Sequence, residues 1–171
     1  MATRAVPQGQ DDRAHTWLAY LVPARIAVGY HFILVAWPKV FSGYPGAELA
    51  RQLLQAAPRN PIPLHRDFIV GFVVPHVDFF AFLIAYGEMA IGLSLVTGCL
   101  VRVSASFAAF ENLNLYLAIA IPGIATRAGA AQVPWNRTLI IMHLVFVAVS
   151  AGRSFGVDGL LKRKFPRNPL F

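Results

Sequence analysis

Four charged side chains interrupt stretches that are otherwise apolar: Arg25, Glu88, Glu111 and Arg153. A lone charge in hydrocarbon costs a few kcal/mol or more, so such groups pair, bind a proton or face water. Arg25 and Glu88 form the first candidate pair, and Glu111 with Asn112 or Asn114 a second polar node. One reading makes these groups staples that fix helix register, since a buried ion pair is weak evidence for stability. The other makes Glu88 and Arg25 a proton or quinone site, because a carboxyl inside a membrane can exchange protons with a quinone.

The histidines extend that chemistry. His31 lies six residues before Trp37, and His143 six residues after Arg137, so both fall at a similar depth. Two histidines at one depth can ligate a b-type haem or hydrogen-bond quinone carbonyls. The spacing is specific to neither, and haem b is the weaker reading. His31, His143 and Glu111 are therefore the quinone-binding candidates. Lys39, Arg59 and Arg66 fall in a polar connection where they could attract a small anion. Asn136-Arg137-Thr138 matches a glycosylation acceptor, a pattern that arises easily by chance.

These residues must be positioned by membrane helices. Of 171 residues, 57% are hydrophobic and 13% charged, with a mean hydropathy of +0.56. That is the composition of a polytopic membrane protein. The net charge of +7 is dispersed over polar segments, which suits anionic headgroups and not nucleic acid. The single Cys99 excludes an internal disulfide framework, a four-cysteine iron–sulfur site and a zinc knuckle. No metal site is read from the spacing.

The expected fold is all-α: an integral-membrane four-helix bundle, its spans at 17–37, 78–98, 103–122 and 138–157. In the second, Ala81, Ile84, Ala85, Glu88, Gly92 and Leu95 share one stripe, so Glu88 should face the bundle among small residues. Pro23 marks either the first turn of the first helix or a kink. Trp17, Trp37 and Trp135 fall at predicted ends, as an interfacial belt requires. Between the first two spans, 47–57 reads as a helix lying near the surface, and 67–74 as a segment dipping back toward the bilayer. A polar arm, 1–16, precedes the membrane domain 17–160, and a basic tail, 161–171, follows it. The arm has no signal-peptide pattern, so the first apolar run should be retained. The cluster Lys162–Lys164 and the short turn at 98–102 favour both termini in the cytoplasm.

Three motifs carry a resemblance. Arg25-x3-Gly29 followed by Trp37-Pro38-Lys39, then Gly87-Glu88-x3-Gly92-x5-Gly98-x3-Arg102, is similar to the first two spans of the DoxX/DoxD family of small four-span membrane proteins. Ala151-Gly152-Arg153-Ser154-Phe155-Gly156-Val157-Asp158 resembles the ending of its DoxD-like branch. Trp37-Pro38 stands where the family usually has a glycine before the lysine. The resemblance implies a membrane subunit of the thiosulfate:quinone oxidoreductase type, working beside a second subunit in a bacterial or archaeal inner (plasma) membrane. It marks Arg25, Lys39, Glu88, Arg102 and Asp158 as family-like polar positions.

The first functional expectation is thus a quinone-linked membrane subunit of a redox complex, in contact with lipid and with other subunits. Whether this chain is itself catalytic stays open, since no flavin motif or cysteine cluster is present. The alternative is a non-catalytic accessory subunit packed against a larger respiratory or photosynthetic complex. A transporter is weaker, because no inverted repeat is visible.

Overall fold

The computed structural model of the protein describes residues 19–43, 46–124 and 126–168; the predicted arm 1–16 and Trp17 lie outside them. Every regular element among the described residues is helical. Helix α1 spans Val22–Phe41, with Pro23 in its first turn and Pro38 inside its last. Pro23 is therefore a helix start, where its missing N–H costs nothing. Helix α2, Gly46–Ala56, is amphipathic, burying Gly46, Leu49, Leu53 and Ala56, while Glu48 and Arg51 pair on its exposed side.

A short helix α3, Pro63–Phe68, runs on through a π-helical stretch, Ile69–Val73, and a tight turn, Val74–His76, into α4, Val77–Thr97. The segment expected to dip back at 67–74 is instead the start of one 35-residue rod, Pro63–Thr97. The rod changes helical pitch at Pro75, which has no N–H to donate. One turn before it, the His76 ring donates through Nδ1 to the Phe72 carbonyl at 2.9 Å.

Gly98 ends α4 in the left-handed conformation, φ 71°. Helix α5, Val101–Leu115, then continues as a π-helix over Tyr116–Ala120. Helix α6, Arg127–Val149, contains Pro134, and α7, Val157–Lys164, is short and basic. The last predicted span, 138–157, is corrected in both directions. Its start moves back because Asn136 Nδ2 bonds the Gln132 carbonyl and Thr138 Oγ1 the Pro134 carbonyl, both at 2.9 Å, so polar residues read as loop belong to the helix. Its end comes early because Ser150 turns to φ 51°.

The rod Pro63–Thr97 and the segment Ala130–Val149 are long and apolar enough to cross a membrane, and α1 with Gly46–Arg59 makes a third candidate as a pair bent by 120°. Helix α1 packs along α4 and α5 along α6. The α1–α4 crossing is a glycine contact: a Cβ on Gly29 would lie 2.9 Å from the Gly92 carbonyl oxygen, and one on Gly92 2.8 Å from that of Gly29. Small residues at such a crossing let the backbones touch. Outward-facing Leu34, Phe79, Phe82, Tyr86, Phe107, Phe110 and Ile141 are exposed, as lipid contact requires.

Buried apolar side chains form two clusters. One gathers Phe32, Leu95, Val101, Leu139 and Phe146; the other lies beneath α2 and gathers Leu49, Leu53, Ile69, Val73 and Ala118.

Candidate functional site

Between the two clusters lies a cavity of about 290 Å³. Phe32 and Leu139 wall it from the first cluster, and Leu49 from the second. Its polar lining is His31, Lys39, Gln52, Glu88, Glu111, Asn112, Gln132 and Asn136, with Trp135 beside them. Five helices contribute, so α2 roofs a chamber whose walls are α1, α4, α5 and α6.

Glu88 faces inward as its stripe predicts and is 4% exposed. Its partner is Lys39, not Arg25. Lys39 Nζ donates to Glu88 Oε1 at 2.7 Å and to Oε2 at 2.6 Å. Helix geometry explains the correction. Helices α1 and α4 run antiparallel, with Gly29 against Gly92 and Arg25 beside Gly98. Ten residues separate Glu88 from Gly98, roughly 15 Å along the helix. Lys39, placed on the connection by its position after Pro38, belongs to the last turn of α1 and reaches back along it.

Arg25 belongs to a different structure at the opposite end of the helices. It is 1% exposed, and Nη1 donates to the carbonyls of Ala151 at 2.8 Å and Ser154 at 3.2 Å, while Nη2 donates to that of Phe155 at 3.2 Å. A forked guanidinium thereby satisfies carbonyls just beyond the end of α6. Asp158 completes the knot: Oδ1 accepts from the Leu100 N–H at 2.6 Å and Oδ2 from the Val101 N–H at 2.9 Å, capping the start of α5. The glycines of the Gly152–Asp158 ending pack against this cap. A Cβ on Gly98 would sit 2.6 Å from the Gly156 Cα and 2.8 Å from Arg25 Nη1.

Glu111 does line the cavity with Glu88, but bonds neither Asn112 nor Asn114. Asn112 Nδ2 donates to the Ala108 carbonyl and Asn114 Nδ2 to that of Phe110, each at 2.8 Å. Glu111 Oε1 is shielded from solvent and accepts no hydrogen bond. His31 and His143 do not face each other. Phe32 touches both, with ring centroids 6.0 Å from His31 and 5.3 Å from His143. His31 also meets Trp135 edge-on at 4.9 Å and lines the cavity, whereas His143 is fully buried against Phe32 and Phe146.

Of the anion candidates, only Lys39 reaches the cavity. Arg66 pairs with Asp67 at 2.8 Å on the surface, and Arg59 is exposed. Asn136, the glycosylation candidate, is buried in the chamber wall, out of reach of a glycan. The residues that sequence reasoning missed are Gln52, Gln132 and Trp135. Gln132, Asn136, Leu139, His143 and Phe146 make a helical stripe, visible once α6 is started before Pro134.

Residues 20–121 match the sequence model of the DoxX family, which covers more than half of the chain. The chain belongs to the DoxX family. No match was found among curated proteins or solved structures. The DoxX match takes in Arg25, Lys39, Glu88 and Glu111, and ends before the Gly152–Asp158 segment. This DoxX protein is thus a membrane protein, all-helical among the described residues, in which the family region supplies both carboxyls of the chamber.

Proposed function

We propose that the chain is the membrane subunit of a quinone-linked redox complex, of the thiosulfate:quinone oxidoreductase type, whose quinone ring is held in the chamber between Lys39–Glu88 and Glu111. The observation that carries this reading is a cavity of about 290 Å³ of mixed polar and apolar lining, kept open among membrane helices, next to a buried ion pair and a carboxyl oxygen with no hydrogen-bond partner. Helices that needed only a register device would close such a space, because voids forfeit packing contacts. Its size falls near the lower end of ligand pockets. His31 and Trp135 supply a ring edge and an aromatic wall.

In the same reading the chain crosses the bilayer four times, as a four-helix bundle through 22–41, 77–97, 101–120 and 130–149. Each stretch is about 30 Å long at 1.5 Å per residue, the thickness of the hydrocarbon core. The basic cluster Lys162, Arg163 and Lys164 at the end of α7 supports a reading with both termini in the cytoplasm. A partner subunit carries the electron-transfer groups.

The test is purification in mild detergent, followed by extraction of bound quinone and identification of co-purifying chains. Near-stoichiometric quinone, with turnover lowered by Glu88→Gln in the intact complex, is the expected result. The second reading, an accessory subunit, draws on the internal pairing of Lys39 with Glu88. It takes over if no quinone is retained and E88Q leaves turnover of the parent complex unchanged.

A further inference from the structure

The end of the molecule that carries the Arg25–Asp158 knot is lopsided in charge. Residues 112–171 hold one carboxyl side chain, Asp158, which is buried and spent on capping α5. Against it stand Lys162, Arg163, Lys164 and Arg167, in and just after α7. Lys162 Nζ donates to the Asn168 carbonyl at 2.9 Å, which folds the tail back and keeps Arg167 beside the helix. Arg163, Lys164 and Arg167 are exposed, and among the described residues no carboxylate pairs with them. The helix dipole accounts for cations in the last turn of α7. It accounts neither for Arg167 beyond that turn nor for the apolar groups next to them.

Those apolar groups are uncovered. Phe155 is 84% exposed and Leu160 65%. Phe155 also sits at φ 45°, where a bulky side chain is an outlier. Arg25 Nη2 donates to its carbonyl at 3.2 Å, so the backbone is held in that conformation while the ring projects outward. On α7, residues 157, 160, 163 and 164 share one exposed arc. Val157 and Leu160 come first, and Lys164 follows Leu160 by about 6 Å along the axis. The arc therefore runs from apolar to basic as the chain leaves α6, and it ends on a shallow hollow bordered by Lys164, Phe165 and Arg167.

We propose that Phe155 and α7 form an interfacial anchor that binds acidic glycerophospholipids: Phe155, Val157 and Leu160 enter the acyl boundary, while Arg163, Lys164 and Arg167 hold headgroup phosphates. The anchor goes beyond the quinone reading and does not depend on it. Charge selects the occupant, since cations without acidic partners attract an anionic leaflet. Long Lys and Arg stems let the charged heads reach phosphate while the apolar groups beside them sit deeper. The order along the arc matches the passage from hydrocarbon to headgroup at the end of a membrane span. A protein partner imposes no such order.

The experiment is native mass spectrometry of the full-length chain in detergent with equimolar dioleoylphosphatidylglycerol and dioleoylphosphatidylcholine, and inorganic phosphate as a third probe. The anionic lipid should be retained roughly tenfold over the zwitterionic one, and phosphate, which has no acyl chain, should not displace it. Arg163→Gln with Lys164→Gln and Arg167→Gln should bring the two lipids to near parity. Equal retention by the unaltered chain overturns the proposal even where that variant fails to fold. Unchanged selectivity in a folded triple variant overturns the site, and displacement by phosphate shows a soluble-anion site in its place. The apolar half is read separately, with Phe155→Trp in vesicles carrying lipids brominated high on the acyl chain. The added emission, relative to the unaltered chain, should be quenched by bromine. Emission that resists both bromine and aqueous iodide shows a protein covering this face, emission quenched by iodide alone shows water, and either result overturns the anchor.

Discussion

Lys39 and Glu88, 49 residues apart in sequence, meet through both carboxylate oxygens at 2.6 and 2.7 Å. The contact joins the last turn of α1 to the interior of α4 and forms one side of the polar chamber. With side-chain exposures of 21% and 6%, the pair is unequal: the lysine touches the outside and the glutamate does not.

Removing the lysine alone should therefore hurt more than removing both partners. Lys39→Met leaves a buried carboxylate without its cation and should cost about 3 kcal/mol, whereas Lys39→Met with Glu88→Met should cost less than about 1 kcal/mol. Thermal unfolding in detergent measures both. A double variant as unstable as the single one would show that packing, not charge, holds the two helices here.

The knot at the other end should be intolerant in a different way. Arg25→Lys retains the charge but loses the forked geometry that serves three carbonyls, and should cost about 2–4 kcal/mol. Asp158→Asn keeps one acceptor for the Leu100 and Val101 N–H groups and should cost about 1–2 kcal/mol. Denaturant-dependent unfolding ranks them. An arginine replaced without loss would refute a structural knot.

Two glycines of α4 and its turn should behave oppositely. Gly98 is at φ 71°, and its added Cβ would meet Gly156 and Arg25, so Gly98→Ala should reduce folded yield severely. Nothing lies within 4 Å of a Cβ on Gly87, so Gly87→Ala should be neutral or stabilise by up to about 1 kcal/mol through helix propensity. Size-exclusion profiles and melting temperatures of the two variants make the comparison.

The proposed four crossings predict which residues share a face. Native Cys99, in the α4–α5 turn, should react with an impermeant maleimide from the same side as a cysteine placed at Lys164. A cysteine placed at Gln55, on α2, should react from the other side once Cys99 is replaced by Ser. Labelling of Cys99 and Q55C from one side would remove the four-span arrangement.

Much of α4 was legible in advance, since its buried residues include Ala81, Ala85, Glu88, Gly92 and Leu95, five members of the stripe read from helical spacing. Gly98 was legible as a turn for the same local reason. Partner choice was not. Charge sign says that Glu88 needs a cation, but depth decides which one, and depth depends on the antiparallel register set by Gly29 against Gly92. Lys39 looked like a connection residue because Pro38 precedes it, although the Trp37 and Phe41 rings pack at 4.3 Å across that proline within one helix. The chamber is hidden from the sequence because Gln132 and Asn136 fall in a polar stretch that reads as a loop between the last two expected spans. Their polarity resembles exposure, while in the helix Asn136 is buried and Gln132, itself exposed, borders the chamber at its rim.

The two ends of the helices are built to different rules. At one, Arg25, Gly98 and Asp158 lock three chain segments together with contacts too tight to admit a methyl group. At the other, α2 rests over a space bordered by long side chains. That asymmetry concentrates mutational tolerance at the roofed end, where a side chain can change size against open space, and leaves almost none at the locked one.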